Sequence, residues 1–199
     1  ELDQYFWTVT TGSSRLEWCF PLEVRTSDTL EAVNVFELQD LVKLSIVLDS
    51  GAYKFKVQYN NLTATITSSV ALAADTEYDV FLARDVDLMY LKVDATEQNI
   101  ASTYPVVFNY AKTIGFVIGD GADAEVQAAF GGRIKRFALH NVSTRAFQPT
   151  VESVLYYNVD SMYGDEVLDR GPNSMNAFAG IRIDARPPTY KEGGFTGGS

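Results

Sequence analysis

The plainest signal along the chain is a period of two. Tyr53, Phe55, Val57 and Tyr59 alternate with Lys54, Lys56 and Gln58, the signature of a half-buried strand. Asp49-Ser50-Gly51 gives that strand an entry turn and Asn60-Asn61 an exit. Leu44, Ile46 and Leu48 precede the first turn, so residues 43–59 are expected to form a hairpin. Thr63 to Thr67 adds a further strand. Tyr78 to Arg84 and Leu88 to Val93, joined around Asp85-Val86-Asp87, predict a second hairpin. Tyr5 to Thr10, Arg15 to Val24, Val33 to Leu38, Thr113 to Ile118 and Arg133 to His140 are strand-like as well. Glu31 to Leu44 comes nearest to a helical period and is better divided into two strands.

Many short strands separated by turn signals predict an all-β antiparallel sandwich, a jelly roll, rather than parallel βαβ units. A length of 199 residues suits one such domain, expected over residues 1–185. Residues 186–199 carry Arg186-Pro187-Pro188 and then glycine pairs, and read as an extended or flexible tail that docks on a partner or stays free. Because the chain opens at Glu1 with neither Met nor a basic-then-apolar leader, it is read as processed or as a piece of something longer.

Sixteen basic against twenty-six acidic residues leave a net charge of −10. Phosphate backbones and anionic membranes require clustered Lys and Arg, so nucleic acid is not an expected partner. No run of about 18 apolar residues exists, so no membrane-inserting helix is expected. Cys19 is the sole cysteine, which excludes an intramolecular disulfide, and its neighbours Trp18 and Phe20 mark it as a buried, inert thiol. Two sequons occur, at Asn61 and Asn141, with no leader to route them to glycosylation.

Catalytic chemistry is scarce. His140 is the only histidine and would have to serve as base in any Ser–His or Cys–His arrangement, yet no Gly-x-Ser-x-Gly elbow accompanies it. One His and one Cys cannot assemble a zinc site. Two carboxylates facing each other across a cleft, as glycoside hydrolysis needs, are not evident: Glu166 and Asp169 differ in parity, and Asp85 and Asp87 sit at a hairpin turn. No enzyme is expected. Calcium is the one cofactor the sequence leaves open, with Asp120, Asp123 and Glu125 as ligands in Gly119-Asp120-Gly121-Ala122-Asp123-Ala124-Glu125, a stretch equally suited to a plain turn. Asp160, Asp165 and Asp169 form a second acidic loop region. Eleven Tyr, twelve Phe and two Trp exceed what the core strands require. Tyr90, Tyr104, Tyr110 and Tyr163 fall at or near strand ends and are the candidate ligand-binding aromatics, because a ring face stacks on a sugar while the phenol hydrogen-bonds.

Two stretches resemble the concanavalin A-like lectin/glucanase superfamily in its laminin-G-like branch. Phe130-Gly131-Gly132-Arg133-Ile134-Lys135-Arg136-Phe137-Ala138-Leu139-His140-Asn141 is similar to a late strand of that family. Leu155-Tyr156-Tyr157-Asn158-Val159-Asp160, followed by Gly164 to Asn173, is similar to the "YYPFDEGSGTTVxDxSGNGN" strand pair of laminin-G-like modules. There the motif opens a domain, whereas here it lies near the C-terminus, an order met in phage and bacterial fibre or tail proteins. The resemblance implies a sandwich and a binding or adhesive role. The superfamily's catalytic acids and the lectins' metal-ligand pattern have no match in this chain. The resulting expectation is a non-catalytic glycan-binding module of an extracellular or virion-surface assembly. The competing expectation is a decoration or assembly subunit bound only to other protein chains. Its partners are then cell-surface glycan or neighbouring structural subunits, within an oligomer.

Overall fold

The computed structural model describes residues 17–38, 42–59, 64–85, 88–101, 116–118, 130–140, 147–148, 153–158, 162–163, 166–171, 177–178, 189–191 and 194–196. Among these every regular element is a strand, and no helix long and apolar enough to cross a membrane occurs. In chain order they are β1 (Trp18–Arg25), β2 (Val33–Leu38), β3 (Val42–Asp49), β4 (Ala52–Tyr59), β5 (Ala64–Thr67), β6 (Glu77–Asp85), β7 (Leu88–Val93) and β8 (Thr96–Ala101). They continue as β9 (Phe116–Ile118), β10 (Arg133–His140), β11 (Ser153–Asn158), β12 (Met162–Tyr163), β13 (Glu166–Val167), β14 (Ala177–Phe178), β15 (Thr189–Lys191) and β16 (Gly194–Thr196).

The strands build an eight-stranded antiparallel sheet, β15-β16-β10-β1-β6-β7-β8 with β11 also on β10, and a five-stranded sheet, β5-β4-β3-β2-β9. A small third ribbon joins β12, β13 and β14. Glu31 to Leu44 divides into β2 and the start of β3, as its pattern predicts. The hairpin β3–β4 turns on Ser50 and Gly51, at φ of 52° and 83°. Two successive positive φ values give the turn the twist that antiparallel strands need, and Gly51 adopts one at no steric cost. The extended C-terminal tail contributes β15 and β16, and Phe195 of β16 registers with Ile134 of β10.

Alternation assigns the faces. Trp18, Phe20, Leu22 and Val24 of β1, Tyr78, Val80 and Leu82 of β6, and Met89, Leu91 and Val93 of β7 turn inward. They meet Leu44 and Ile46 of β3 and Phe55, Val57 and Tyr59 of β4 in one continuous core. Aromatic rings run through its centre: Phe20 lies 5.4 Å from Phe36, Phe36 5.3 Å from Phe137, and Phe137 stacks on Tyr157 at 6.4 Å. Much of the aromatic content that looks surplus in the sequence is spent here.

Between Glu23 and Val24 the β1–β10 register slips, so that Glu23 faces Arg136, Val24 faces Ile134, and Lys135 is the extra residue of a bulge. The bulge places Lys135 against Glu77, with Glu23 3.8 Å away. Arg136 pairs with Glu23, and Arg25 forks onto both carboxylate oxygens of Asp75 at 2.8 and 3.0 Å. Half-exposed pairs of this kind add little stability each, but together they fix the register at this end of the outer face.

Candidate functional site

Of the predicted ligand residues, Tyr90 is the one whose side-chain setting is defined. Tyr163 lies on the two-residue strand β12, opposite Glu166 of β13. Tyr104, Tyr110 and the proposed calcium ligands Asp120, Asp123 and Glu125 lie outside the described residues. Among the described residues no three His, Cys, Asp or Glu side chains converge to hold a metal ion.

Tyr90 sits mid-strand in β7, with inward-facing Met89 and Leu91 on either side. The alternation therefore directs Tyr90 to the outer face of the eight-stranded sheet, where it is half-buried. It packs with Phe147 on a small floor made by Cys19, Phe81 and Ala83, all three buried. Phe147 arrives from the connection between β10 and β11 and lies 5.0 Å from the Phe81 ring. Two cations flank this pair: the Arg136 guanidinium stands 4.4 Å from the Phe147 centroid and the Lys92 ammonium 5.4 Å from that of Phe81. Such contacts hold both long side chains along the aromatic surface.

Cross-strand register supplies the polar rim. Asn99 of β8 lies directly opposite Tyr90, and Glu97 lies opposite Lys92 in the next row. Asn99 and Glu97 are exposed. Side chains paired in this way stand within about 5.5 Å at Cβ. The result is a shelf of two half-buried rings bordered by an amide, a carboxylate and an ammonium. Its chemistry is that of a shallow site for a polar ligand with one apolar face, in which rings stack and the rim hydrogen-bonds. Of this group the sequence singles out Tyr90; Phe147, Asn99, Lys92 and Glu97 join it only through strand pairing.

Three titratable groups singled out in the sequence have structural settings. His140 is fully buried, registers with Cys19 across β1–β10, and its Nδ1 lies 2.9 Å from the Ser153 hydroxyl. No solvent reaches this imidazole, whose surroundings suit a packed polar contact. Cys19 is fully buried, as expected for an inert thiol. Asp169, part of the second acidic loop region, lies outside any strand and is buried. Its Oδ1 accepts the backbone N–H groups of Tyr156 and Gly171, each at 2.7 Å. It clamps the chain after β13 onto β11. Burial first, and then the Asp169 charge, push the Tyr157 phenol far above its ordinary value of 10.0.

No family model matches the chain, and no curated protein matches it in sequence. Solved structures do. A protein from Bacteroides ovatus, whose carbohydrate binding is itself an inference, superposes with a TM-score of 0.66 at 14% identity, over 85% of this chain and 53% of that one. A heptameric SAP-like pentraxin from Limulus polyphemus superposes at 0.50 and 11% identity, over 65% of this chain and 66% of that one. This chain thus spans about half the length of the first protein and about two thirds of the second. Identities this low speak to architecture alone. The class so defined is a jelly-roll sandwich of the concanavalin A-like kind.

Proposed function

We propose that the chain is a non-catalytic glycan-binding module whose ligand face is the Tyr90–Phe147 shelf. One observation carries the reading: a half-buried Tyr90 on the outer sheet face, with Asn99 in register beside it and Lys92 and Glu97 in the next row. Stacking of a sugar on the ring and hydrogen bonds from the rim are the interactions this geometry offers. The likeness in fold to a protein inferred to bind carbohydrate supports the same reading. The finer placement, in the laminin-G-like branch and on an extracellular or virion-borne assembly, rests on the two sequence motifs at Phe130–Asn141 and Leu155–Asn173. A shelf of two rings binds weakly by itself, so useful affinity requires several copies acting together.

The test is a broad glycan array probed with the native chain and with Tyr90→Ala, each with and without a calcium chelator. Binding to a related group of sugars that is lost in Tyr90→Ala establishes the reading. Loss with chelator assigns an ion to the site and makes Asp120, Asp123 and Glu125 the residues to substitute next. Silence across the array overturns the proposal in favour of an assembly subunit that binds only protein.

A further inference from the structure

The strand bordering the shelf, β8, also ends the eight-stranded sheet. Among the described residues it pairs with β7 alone, in unbroken register from Thr96 to Ala101. Of the other ends of the two large sheets, β5 has four residues and β9 and β15 three each, while the six-residue β11 is bonded on its free side at Tyr156 by Asp169 and the Arg170 amide. Exposed edges are ordinarily blunted by proline, lysine or a bulge. The β8 sequence Thr96-Glu97-Gln98-Asn99-Ile100-Ala101 has none of these, and Glu97 is its one charge. Its conformation is held besides, since the Gln98 Oε1 accepts the Ser69 backbone N–H at 2.7 Å.

We infer that β8 is the interface with a second copy of this chain, paired antiparallel about a twofold axis through Gln98. Such an axis, normal to the sheet, keeps both outer faces on the same side. It sets Glu97 opposite the partner's Asn99 and Thr96 opposite the partner's Ile100. Glu97 thus meets an amide donor at both symmetry-related contacts and no like charges face each other. An axis through Glu97 would instead oppose two carboxylates. The outer row then runs Tyr90, Asn99, the partner's Glu97 and the partner's Lys92, so the second copy completes the rim beside each Tyr90. The two tyrosines stand roughly 15 Å apart, three strand spacings across and two residues along. One extended ligand reaches both rings. The pairing itself is independent of what the shelf binds.

Sedimentation velocity of the whole chain without glycan, over a wide concentration range, tests it. A monomer–dimer equilibrium is expected, with circular dichroism confirming the fold of every variant. Asn99→Lys faces the partner's Glu97 and tightens the dimer roughly 5-fold, while Asn99→Glu repels it and weakens the dimer by a similar factor. A chain that stays monomeric throughout, or substitutions that leave the dissociation constant unchanged or shift it the same way, overturn the inference. Because no sugar is present, failure here leaves the glycan reading standing, and an inactive shelf leaves the dimer standing.

Discussion

The phenol of Tyr59, on β4 of the five-stranded sheet, donates a hydrogen bond of 2.5 Å to the backbone carbonyl of Tyr90 on β7 of the eight-stranded sheet. The bond crosses the core, where Tyr59 is almost wholly buried and 5.8 Å from Trp18. It ties the strand bearing the candidate ligand residue to the opposite sheet. Tyr59→Phe keeps the ring and removes the bond. The expected loss is about 1–2 kcal/mol, read as a lower urea midpoint with unchanged slope. Glycan affinity is expected to weaken only slightly, since Tyr90 keeps its floor of Cys19, Phe81 and Ala83. A loss of affinity as large as that of Tyr90→Ala would show that the bond itself sets the shelf.

The same phenol shapes the alkaline limb of stability. Burial, and secondarily the nearby Cys19, hold Tyr59 well above the ordinary tyrosine value of 10.0, against a smaller opposing effect from the Ala83 backbone. A raised native pKa means that above pH 10 the unfolded chain has released a proton which the folded chain keeps. Stability is therefore fully present below 10 and falls as pH rises beyond it, by up to about 1.4 kcal/mol per pH unit for each such group. Tyr157 adds a term of the same sign. Denaturation series between pH 8 and about 11.5 are expected to show the decline, and Tyr59→Phe to flatten it. Parallel slopes for the two proteins would contradict the assignment.

At the acid end two kinds of carboxylate oppose each other. Hydrogen bonds from Arg25 and Lys135 hold Asp75 and Glu77 below their ordinary range, so their stabilisation is present above that range and fades as pH falls through the lowered values. Asp79, exposed on the outer face, goes the other way, raised by partial desolvation and then by the charge of Glu23. Its ionisation opposes folding, so stability falls as pH climbs through its raised value. Asp79→Asn is accordingly expected to raise the thermal midpoint at pH 7, with the gain vanishing below the ordinary aspartate value of 3.8. A gain that persisted unchanged to pH 3 would point to packing rather than charge.

What was legible in the sequence follows the physics of half-buried strands. Strands β4 and β7 show clean alternation, whereas residues 42–46 of β3 and 80–84 of β6 are buried on both faces, and Leu88–Val93 and Arg133–His140 match the observed strands residue for residue. Strand β8 was missed because Thr96-Glu97-Gln98-Asn99 lacks the apolar alternate that a core-facing strand displays. It is held by its ladder to β7 and by Gln98, neither visible in a linear pattern. Pro21 would ordinarily interrupt a central strand, yet β1 runs through it unbroken. Of the candidate shelf, the linear pattern shows Tyr90 alone. Its neighbours come from β8 and from the connection after β10, 9 and 57 positions further on, and strand register alone brings them together. The linear pattern shows Asp169 only as one of three acids in a loop region with Asp160 and Asp165. Only its two backbone partners reveal the clamp.

That clamp makes a direct prediction. Asp169→Ala strands the Tyr156 and Gly171 amides and is expected to cost about 2–4 kcal/mol, since bonds to a charged acceptor exceed neutral ones. Asp169→Asn retains an acceptor oxygen and is expected to cost about half as much. Thermal melts of both variants decide it. Equal losses would mean that charge, not geometry, is what holds β11 to the chain beyond β13.

The glycine pair leading into β10 offers the sharpest contrast between neighbouring residues. A Cβ on Gly132 would stand 2.3 Å from the Arg25 carbonyl oxygen and 2.4 Å from the Phe130 ring, whereas one on Gly131 would meet only Ser27 at an ordinary 3.6 Å. The Arg25 carbonyl belongs to β1 and cannot withdraw without disturbing its ladder, and Phe130 is buried in the core. Gly132→Ala is therefore expected to lose about 1–3 kcal/mol through forced displacement of backbone and ring. Gly131→Ala is expected to stay within about 0.5 kcal/mol of the parent. Chemical denaturation of the two single variants checks both values. Because Gly132 sits where β10 joins β1, its variant is also expected to expose Cys19, opposite His140 in the same strand pair, to thiol reagents faster than the parent does. Equal labelling rates would confine the damage to the strand's first residues.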